Sequence, residues 1–117
     1  MSEIIRVYVT DDHHIVRRGI KQLLSTEAGI EVVGEATNGR EAIADMDRLK
    51  PDIVLMDLVM PVMDGIEATR QIKAAHPSIQ ILVLTSFATD DKIFPAIKAG
   101  ALGYLIKDTG PDELINA

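Results

Sequence analysis

At 117 residues, the chain is long enough to form one domain with a hydrophobic core, without disulfides or a structural metal. It contains no cysteine, which fits a reducing compartment, and no apolar run approaching the ~20 residues needed to span a membrane. Its net charge of -6 disfavours binding to nucleic acid, because Lys and Arg supply most phosphate contacts. These features predict a cytoplasmic protein that neither inserts into a membrane nor contacts DNA through this segment.

Short apolar runs alternate with segments of helical periodicity, which is typical of a parallel sheet covered by helices on both faces. The predicted strands cover residues 5–10, 30–35, 53–57, 79–84 and 103–106. Right-handed crossovers between five strands predict a doubly wound α/β fold. The commoner small version has the flavodoxin-like strand order 2-1-3-4-5, with a crevice between the first and third strands.

Helices are predicted between the strands. The first carries apolar residues at helical spacing from Ile15 to Leu24, and Gly29 is expected to cap its carboxyl end. The second begins near Asn38 and stops before Pro51, and the third begins at Asp64.

The last two helices are less regular. The fourth is predicted between a Thr89 cap and Gly100, and Pro95 is expected to interrupt it, because proline removes a backbone donor and crowds the preceding turn. A fifth helix is predicted after Thr109, but the sequence ends at Ala117 after about two turns. We therefore expect residues 1–117 to be one domain of a longer protein.

Charged and polar residues stand at or just past the carboxyl ends of four predicted strands. Asp11 and Asp12 follow the first, Asp57 ends the third, Thr85 follows the fourth and Lys107 follows the fifth. In a parallel sheet these ends share one edge. Neighbouring carboxylates disfavour one another's ionisation, so the three are expected to hold a divalent cation.

The chemistry of this edge favours Mg²⁺ and phosphoryl transfer. Mg²⁺ prefers oxygen ligands, and the main-chain carbonyl of Val59 is the expected addition to the carboxylates. Asp57 is the predicted nucleophile, because a carboxylate can attack a phosphoryl group to give an acyl phosphate. Lys107 is expected to act as a counter-ion and phosphoryl contact. An alternative stays open for the acidic pair, since Asp12 could simply cap the first helix.

Several neighbouring residues have plainer interpretations. The histidines at 13–14 are expected to face solvent or cap a helix, and Met60 and Met63 to pack beneath the site. Thr85 is a common kind of residue at a strand end. Tyr104 is either an ordinary strand aromatic or a ring that moves with Thr85.

Taken together, these motifs resemble the receiver domain of bacterial two-component response regulators over the whole chain. The matching features are Asp11-Asp12, the segment from Asp57 to Gly65, Thr85 after an aliphatic strand, and Lys107 after Tyr104-Leu105-Ile106. The resemblance implies the 2-1-3-4-5 order as much as the connection rules do. The implied roles are phosphoacceptor for Asp57, Mg²⁺ ligand for Asp11, Asp12, Asp57 and the Val59 carbonyl, phosphoryl contact for Thr85 and Lys107, and switch pair for Thr85 and Tyr104.

Residues 11–19 and 31–36 look like the NarL/FixJ subfamily, whose LuxR-type members carry a carboxyl-terminal helix-turn-helix domain. This resemblance implies a sensor histidine kinase as phosphoryl donor, a homodimer on phosphorylation, and promoter DNA bound through a domain beyond residue 117. It also implies that Mn²⁺ can replace Mg²⁺, and that the module is no enzyme beyond its own phosphoryl transfer and dephosphorylation. Asp108 is a departure, because many receivers have a cis proline after the lysine.

Two other classes share part of the pattern. An Asp-nucleophile phosphatase of the dehalogenase type would need a general acid two residues after the nucleophile, where Val59 stands and cannot donate a proton. A flavodoxin-like cofactor module would need a phosphate-binding loop rich in Gly, Ser or Thr after the first strand. Residues 11–14 are instead two aspartates and two histidines.

Overall fold

Strands and helices alternate along the chain in the computed structural model of the protein. It describes residues 4–58, 60, 62–85 and 93–106, without the side chains of 85, 105 and 106. The elements are β1 (Ile5–Thr10), α1 (His14–Leu24), β2 (Ile30–Ala36), α2 (Gly39–Leu49), β3 (Ile53–Asp57), α3 (Gly65–Ala75), β4 (Gln80–Thr85), α4 (Ile93–Lys98) and β5 (Gly103–Ile106).

All neighbouring strands are parallel, and the sheet has the order β2-β1-β3-β4-β5. The predicted fold class and strand order are therefore confirmed. Three strands have the predicted bounds, whereas β2 extends by one residue to Ala36 and β4 is shifted by one. Ile79 lies outside β4 because its N–H bonds to the carbonyl of His76 in the preceding turn, 3.1 Å away.

The pairing of β1 with β2 contains one irregularity. Val7 pairs with Val32, but the next residue of β1, Tyr8, pairs with Gly34. Val33 is thus an extra residue in β2, as in a β-bulge. Gly34 lies so close to the Tyr8 ring that a Cβ there would be 2.9 Å from Cε2 of the ring.

Apolar side chains cover both faces of the sheet. On one face, Tyr8 and the β3 and β4 residues pack beneath α2 and α3, in a cluster that includes Met46, Val54, Ile72 and Ile81. On the other face, residues 7, 9, 55 and 84 pack with Leu24 of α1. The core is aliphatic apart from Tyr8, as the composition predicts. Within the described residues, no helix is long and apolar enough to cross a membrane.

Side chains cap α2 and α3 at the positions where the sequence predicts these helices to begin. Asn38 accepts a 2.9 Å hydrogen bond from the N–H of Glu41, and Asp64 accepts one of the same length from Glu67. The prediction that Gly29 caps α1 is wrong. Helix α1 ends at Leu24 with Ser25 as its cap, because the N–H and hydroxyl groups of the following turn already bond to the last carbonyls.

Pro95 lies in the first turn of α4 as described, and the preceding turn, where the predicted interruption would occur, lies outside the described residues. Proline lacks an N–H but keeps its acceptor, and the Pro95 carbonyl accepts a 3.0 Å bond from the N–H of Ala99. Gly100 closes this helix as predicted, with a φ of 119°. The predicted Thr89 cap and the fifth helix lie outside the described residues.

Candidate metal centre

The ends of β1 and β3 lie side by side, with Thr10 paired to Met56. The structure thereby brings together Asp11, Asp12 and Asp57, the three carboxylates predicted to share this edge. One oxygen of each, together with a ring nitrogen of His13, lies within 4.8 Å of the others. Three anions at this separation repel one another strongly, which favours the binding of a cation.

The three carboxylates differ in their access to solvent. Asp11 is fully buried, Asp57 is 5% exposed, and the side chain of Asp12 is 30% exposed. Burial of an ionised carboxylate is costly unless other groups compensate its charge. The arrangement therefore has two carboxylates at the floor of a site and a third at its rim.

Asp11 is held through both its main chain and its carboxylate. Its N–H donates to the carbonyl of Ala36, 3.1 Å away, which ties the end of β1 to β2. Its Oδ1 accepts a 2.8 Å bond from the backbone N–H of His13, in a short turn that leads into α1. These contacts fix the direction in which the Asp11 carboxylate leaves the strand.

His13 contributes more to the cluster than the sequence indicated. It stands at the amino-terminal cap of α1 without a capping side-chain bond, and its side chain is 63% exposed, which fits the predicted solvent-facing position. However, its Nδ1 also lies 2.9 Å from Oδ1 of Asp11 and 3.2 Å from Oδ1 of Asp12. His13, and not Asp12, occupies the cap position, so the capping alternative for Asp12 is wrong.

The position of Asp57 depends on a glycine that sequence reasoning did not select. A Cβ on Gly65 would lie 2.2 Å from the main-chain oxygen of Asp57, which is far below any real contact distance. The N–H of Gly65 donates to the Leu58 carbonyl at 2.9 Å. The start of α3 thus packs directly against the backbone of Asp57, and the Asp-Gly pair at this helix start is the signal that was available.

The loop between β3 and α3 combines buried and strained positions. Met60 is buried in the core and Met63 packs against it, as predicted. Val62 is exposed and has a φ of 68°, a conformation that β-branched residues rarely adopt. A backbone strained in this way persists only where the surrounding structure imposes it, so Val62 marks a constrained position after Asp57.

The remaining predicted site residues are described only in part. Thr85 ends β4 opposite Ile106, but its side chain lies outside the described residues, as do Lys107 and the Val59 carbonyl. Tyr104 is exposed on β5, where it pairs with Val83. The described donors are oxygen-rich, and carboxylate oxygens are the ligands that Mg²⁺ prefers. The donor set therefore fits a hard divalent cation.

Comparison with known proteins agrees with the fold and the site. A family profile described as response regulator receiver domain matches residues 7–117. The chain is 50% identical over 113 residues to the response regulator protein VraR of Staphylococcus aureus, covering 97% of this chain and 54% of VraR. It is 46% identical over 111 residues to the uncharacterized transcriptional regulatory protein YhcZ of Bacillus subtilis, covering 95% of this chain and 52% of YhcZ.

A solved structure gives the same result. A two-component response regulator of the LuxR family from Aurantimonas sp. SI85-9A1 superposes with a TM-score of 0.91 and is 39% identical, covering 98% of this chain and 82% of that one. The predicted family and its LuxR-type character are confirmed. The chain spans about half the length of the curated relatives that it matches.

Proposed function

Because the chain belongs to the response regulator receiver domain family, we propose that Asp57 accepts a phosphoryl group beside Mg²⁺ held by Asp11, Asp12 and Asp57 itself. Phosphorylation-dependent switching is the general role of such domains, which bind Mg²⁺ at an acidic pocket. The observation that carries the proposal is the carboxylate cluster, whose members lie within 4.8 Å and two of which are buried. Mn²⁺ is expected to substitute for Mg²⁺.

In the proposed reaction, a carboxylate oxygen of Asp57 attacks the phosphorus atom of a phosphohistidine. An O–P bond forms, the P–N bond breaks, and the electron pair of that bond stays on the imidazole nitrogen of the donor. Bound Mg²⁺ supplies positive charge that offsets the charge on the phosphoryl oxygens. Asp11, Asp12 and Asp57 would supply oxygen ligands to the ion, and Asp57 would in addition supply the nucleophilic oxygen.

Four further residues are proposed to bind the ion or the phosphoryl group, or to act in the switch. Val59 would add a carbonyl ligand, and Thr85 and Lys107 would bond to the phosphoryl oxygens, where a charged donor is strongest. Thr85 and Tyr104 would act as the switch pair. The position of Thr85 at the end of β4, next to β3 in the sheet, supports its part in this proposal.

The proposed partners follow from the family. Response regulators receive phosphoryl groups from histidine kinases and act on DNA through effector domains. We propose a cognate sensor histidine kinase as phosphoryl donor, a homodimer on phosphorylation, and promoter DNA bound by a helix-turn-helix domain beyond residue 117. The net charge of -6 supports a DNA contact outside this segment. On this proposal the protein is cytoplasmic, and the domain catalyses only its own phosphorylation and dephosphorylation.

Incubation with acetyl phosphate and Mg²⁺, followed by mass spectrometry of the intact protein, tests the proposal. We expect one added phosphoryl group in the wild type and none in Asp57→Asn. Asp64→Asn is the matched control, because it changes a neighbouring acid to a residue that caps a helix equally well. Equal phosphorylation of wild type and Asp57→Asn would contradict the assignment of the acceptor.

A further inference from the structure

Arg17 of α1 is a charged residue in an enclosed position. Its side chain is only 11% exposed. Its Nη1 donates a 2.7 Å hydrogen bond to the main-chain carbonyl of Asp11, and its Nε donates a 2.9 Å bond to Oε1 of Glu35 on β2. Removing a guanidinium from water is costly, so its hydrogen bonds must compensate for its burial.

Glu35 anchors the guanidinium from the neighbouring strand. Lys21 of α1 also pairs with Glu35, through the second carboxylate oxygen. Hydrogen bonds from Lys21 and then from Arg17 lower the pKa of Glu35, which keeps it ionised at neutral pH. The planar fork of Arg17 is therefore held between a fixed anion and the main chain of Asp11, a two-sided geometry that a lysine cannot reproduce.

Hydrogen bonds therefore restrain the N–H, the main-chain carbonyl and the carboxylate of Asp11. Ala36 accepts from its N–H, Arg17 donates to its carbonyl, and the backbone of His13 donates to its carboxylate. A small rotation about the backbone of Asp11 would move its carboxylate away from Asp57. Loss of a group that orients a metal ligand typically weakens metal affinity about 10- to 100-fold.

We propose that Arg17 is a positioning residue for the metal centre, fixing the main chain at Asp11 so that its carboxylate faces Asp57, with Glu35 as its anchor. This inference rests on the proposed function, because it concerns Mg²⁺ binding at the same carboxylates. Arg17 acts through Asp11 and does not itself touch the phosphoryl group.

The test compares Mg²⁺ affinity with the rate of phosphorylation by acetyl phosphate. The variants are Arg17→Gln, Arg17→Lys and Glu35→Gln, and calorimetric titration with Mg²⁺ gives each dissociation constant. Arg18→Gln is the control, because it removes the same charge from an exposed position on the same helix. Circular dichroism shows which variants are folded at the assay temperature. If Arg17→Gln is unfolded, the Mg²⁺ affinity of Glu35→Gln tests the inference.

We expect Arg17→Gln to weaken Mg²⁺ binding about 10-fold, the lower end for loss of an orienting partner. Arg17→Lys should fall between this variant and the wild type, and Glu35→Gln should change affinity in the same direction. Saturating Mg²⁺ should restore the phosphorylation rate, because Asp57 is unchanged. A merely structural role would lower the rate at every Mg²⁺ concentration.

Three results would overturn the inference while leaving the proposed function intact. These are wild-type affinity in folded Arg17→Gln, an equal loss in Arg18→Gln, and a rate that saturating Mg²⁺ does not restore. By contrast, a wild-type protein that neither binds Mg²⁺ nor is phosphorylated at Asp57 would contradict the proposed function itself. The two failures are therefore distinguishable in one set of measurements.

Discussion

The phenol of Tyr8 donates a 2.6 Å hydrogen bond to Oδ2 of Asp45, which joins the buried face of β1 to α2. Tyr8 is completely buried, whereas the side chain of Asp45 is partly exposed. Burial, and then the bond to Asp45, raises the pKa of Tyr8 well above its ordinary value. The same bond is the main reason why the pKa of Asp45 is lowered.

Tyr8→Phe should destabilise the protein by about 1–2 kcal/mol, because a hydrogen bond to a partly buried carboxylate is lost while the ring remains. Asp45→Asn should cost a similar amount. Urea denaturation at pH 7 measures both. Asp47→Asn is the control on the same helix: its side chain is 89% exposed, and its pair with His76 should contribute less than about 1 kcal/mol. Equal losses in all three variants would argue against a special role for the Tyr8 bond.

The stability difference between wild type and Asp45→Asn should depend on pH. The lowered pKa of Asp45 means that its contribution is present above the unfolded pKa of about 3.9 and is lost as pH falls through the folded value. The difference should therefore narrow below about pH 4. At the alkaline end, the raised pKa of Tyr8 predicts a loss of stability above about pH 10, absent in Tyr8→Phe. Denaturation curves across pH check both limits.

Gly65→Ala should disturb Asp57 directly. The new Cβ would lie 2.2 Å from the Asp57 carbonyl oxygen, so the backbone must move, at a cost of about 1–3 kcal/mol. Phosphorylation by acetyl phosphate should fall even where the variant is folded. Gly19→Ala is the matched control, since its Cβ would have no neighbour within 4 Å and should stabilise α1 by up to about 1 kcal/mol. A fully active and stable Gly65→Ala protein would disprove the close approach.

Removal of one carboxylate from the metal centre should have opposite effects on the stability of the metal-free protein and on its affinity for Mg²⁺. Without metal, Asp11→Asn and Asp12→Asn should be as stable as wild type or more stable, because repulsion worth about 1–3 kcal/mol is relieved. Mg²⁺ affinity and Mg²⁺-dependent phosphorylation should both decrease. Thermal unfolding with EDTA and with Mg²⁺ makes the comparison, and wild-type affinity in both variants would exclude them as ligands.

Beryllofluoride, which mimics a phosphoryl group, should slow hydrogen exchange around Thr85 and change it between Asp90 and Gly100. A phosphoryl group adds about two negative charges, which Thr85 and Lys107 are proposed to meet as the Thr85 loop moves inward. Tyr104 would then fill the vacated space. We also expect increased self-association, measured by light scattering. Identical exchange with and without beryllofluoride at saturating Mg²⁺ would refute the proposed switch.

The sequence was sufficient for the fold and for the carboxylate cluster, because local patterns define the strands, while connection rules and the family resemblance give the strand order. Buried parallel strands are continuously apolar, and their carboxyl ends share one edge, so Asp11 and Asp57 could be brought together without coordinates. The caps at Asn38 and Asp64 follow from short-range chemistry in the same way. Gly29 was misassigned because polar groups in the turn after Leu24 had already satisfied the end of α1.

The supporting contacts of the site could not be predicted. The bond from Arg17 to the carbonyl of Asp11 depends on the exact rotation of α1 about its axis. Hydrophobic periodicity shows which face of a helix is buried, but it does not give this rotation. The contact between Gly65 and Asp57 depends on how closely a helix end approaches a strand end. His13 was judged from its neighbours in sequence, whereas its contact with Asp12 depends on the turn between them.

The extra residue in β2 determines which side of the sheet its last residues face. Side chains alternate along a strand, so if Val33 paired with Tyr8 in regular register, Glu35 would point away from α1 and towards α2. The bulge changes the phase of the strand by one residue, and this places Glu35 beside Arg17. A β2 strand that kept Val33 but paired without the bulge would therefore bring Gly34, and not Glu35, to the guanidinium, whereas deleting Val33 should leave Glu35 opposite Val9 on the α1 face.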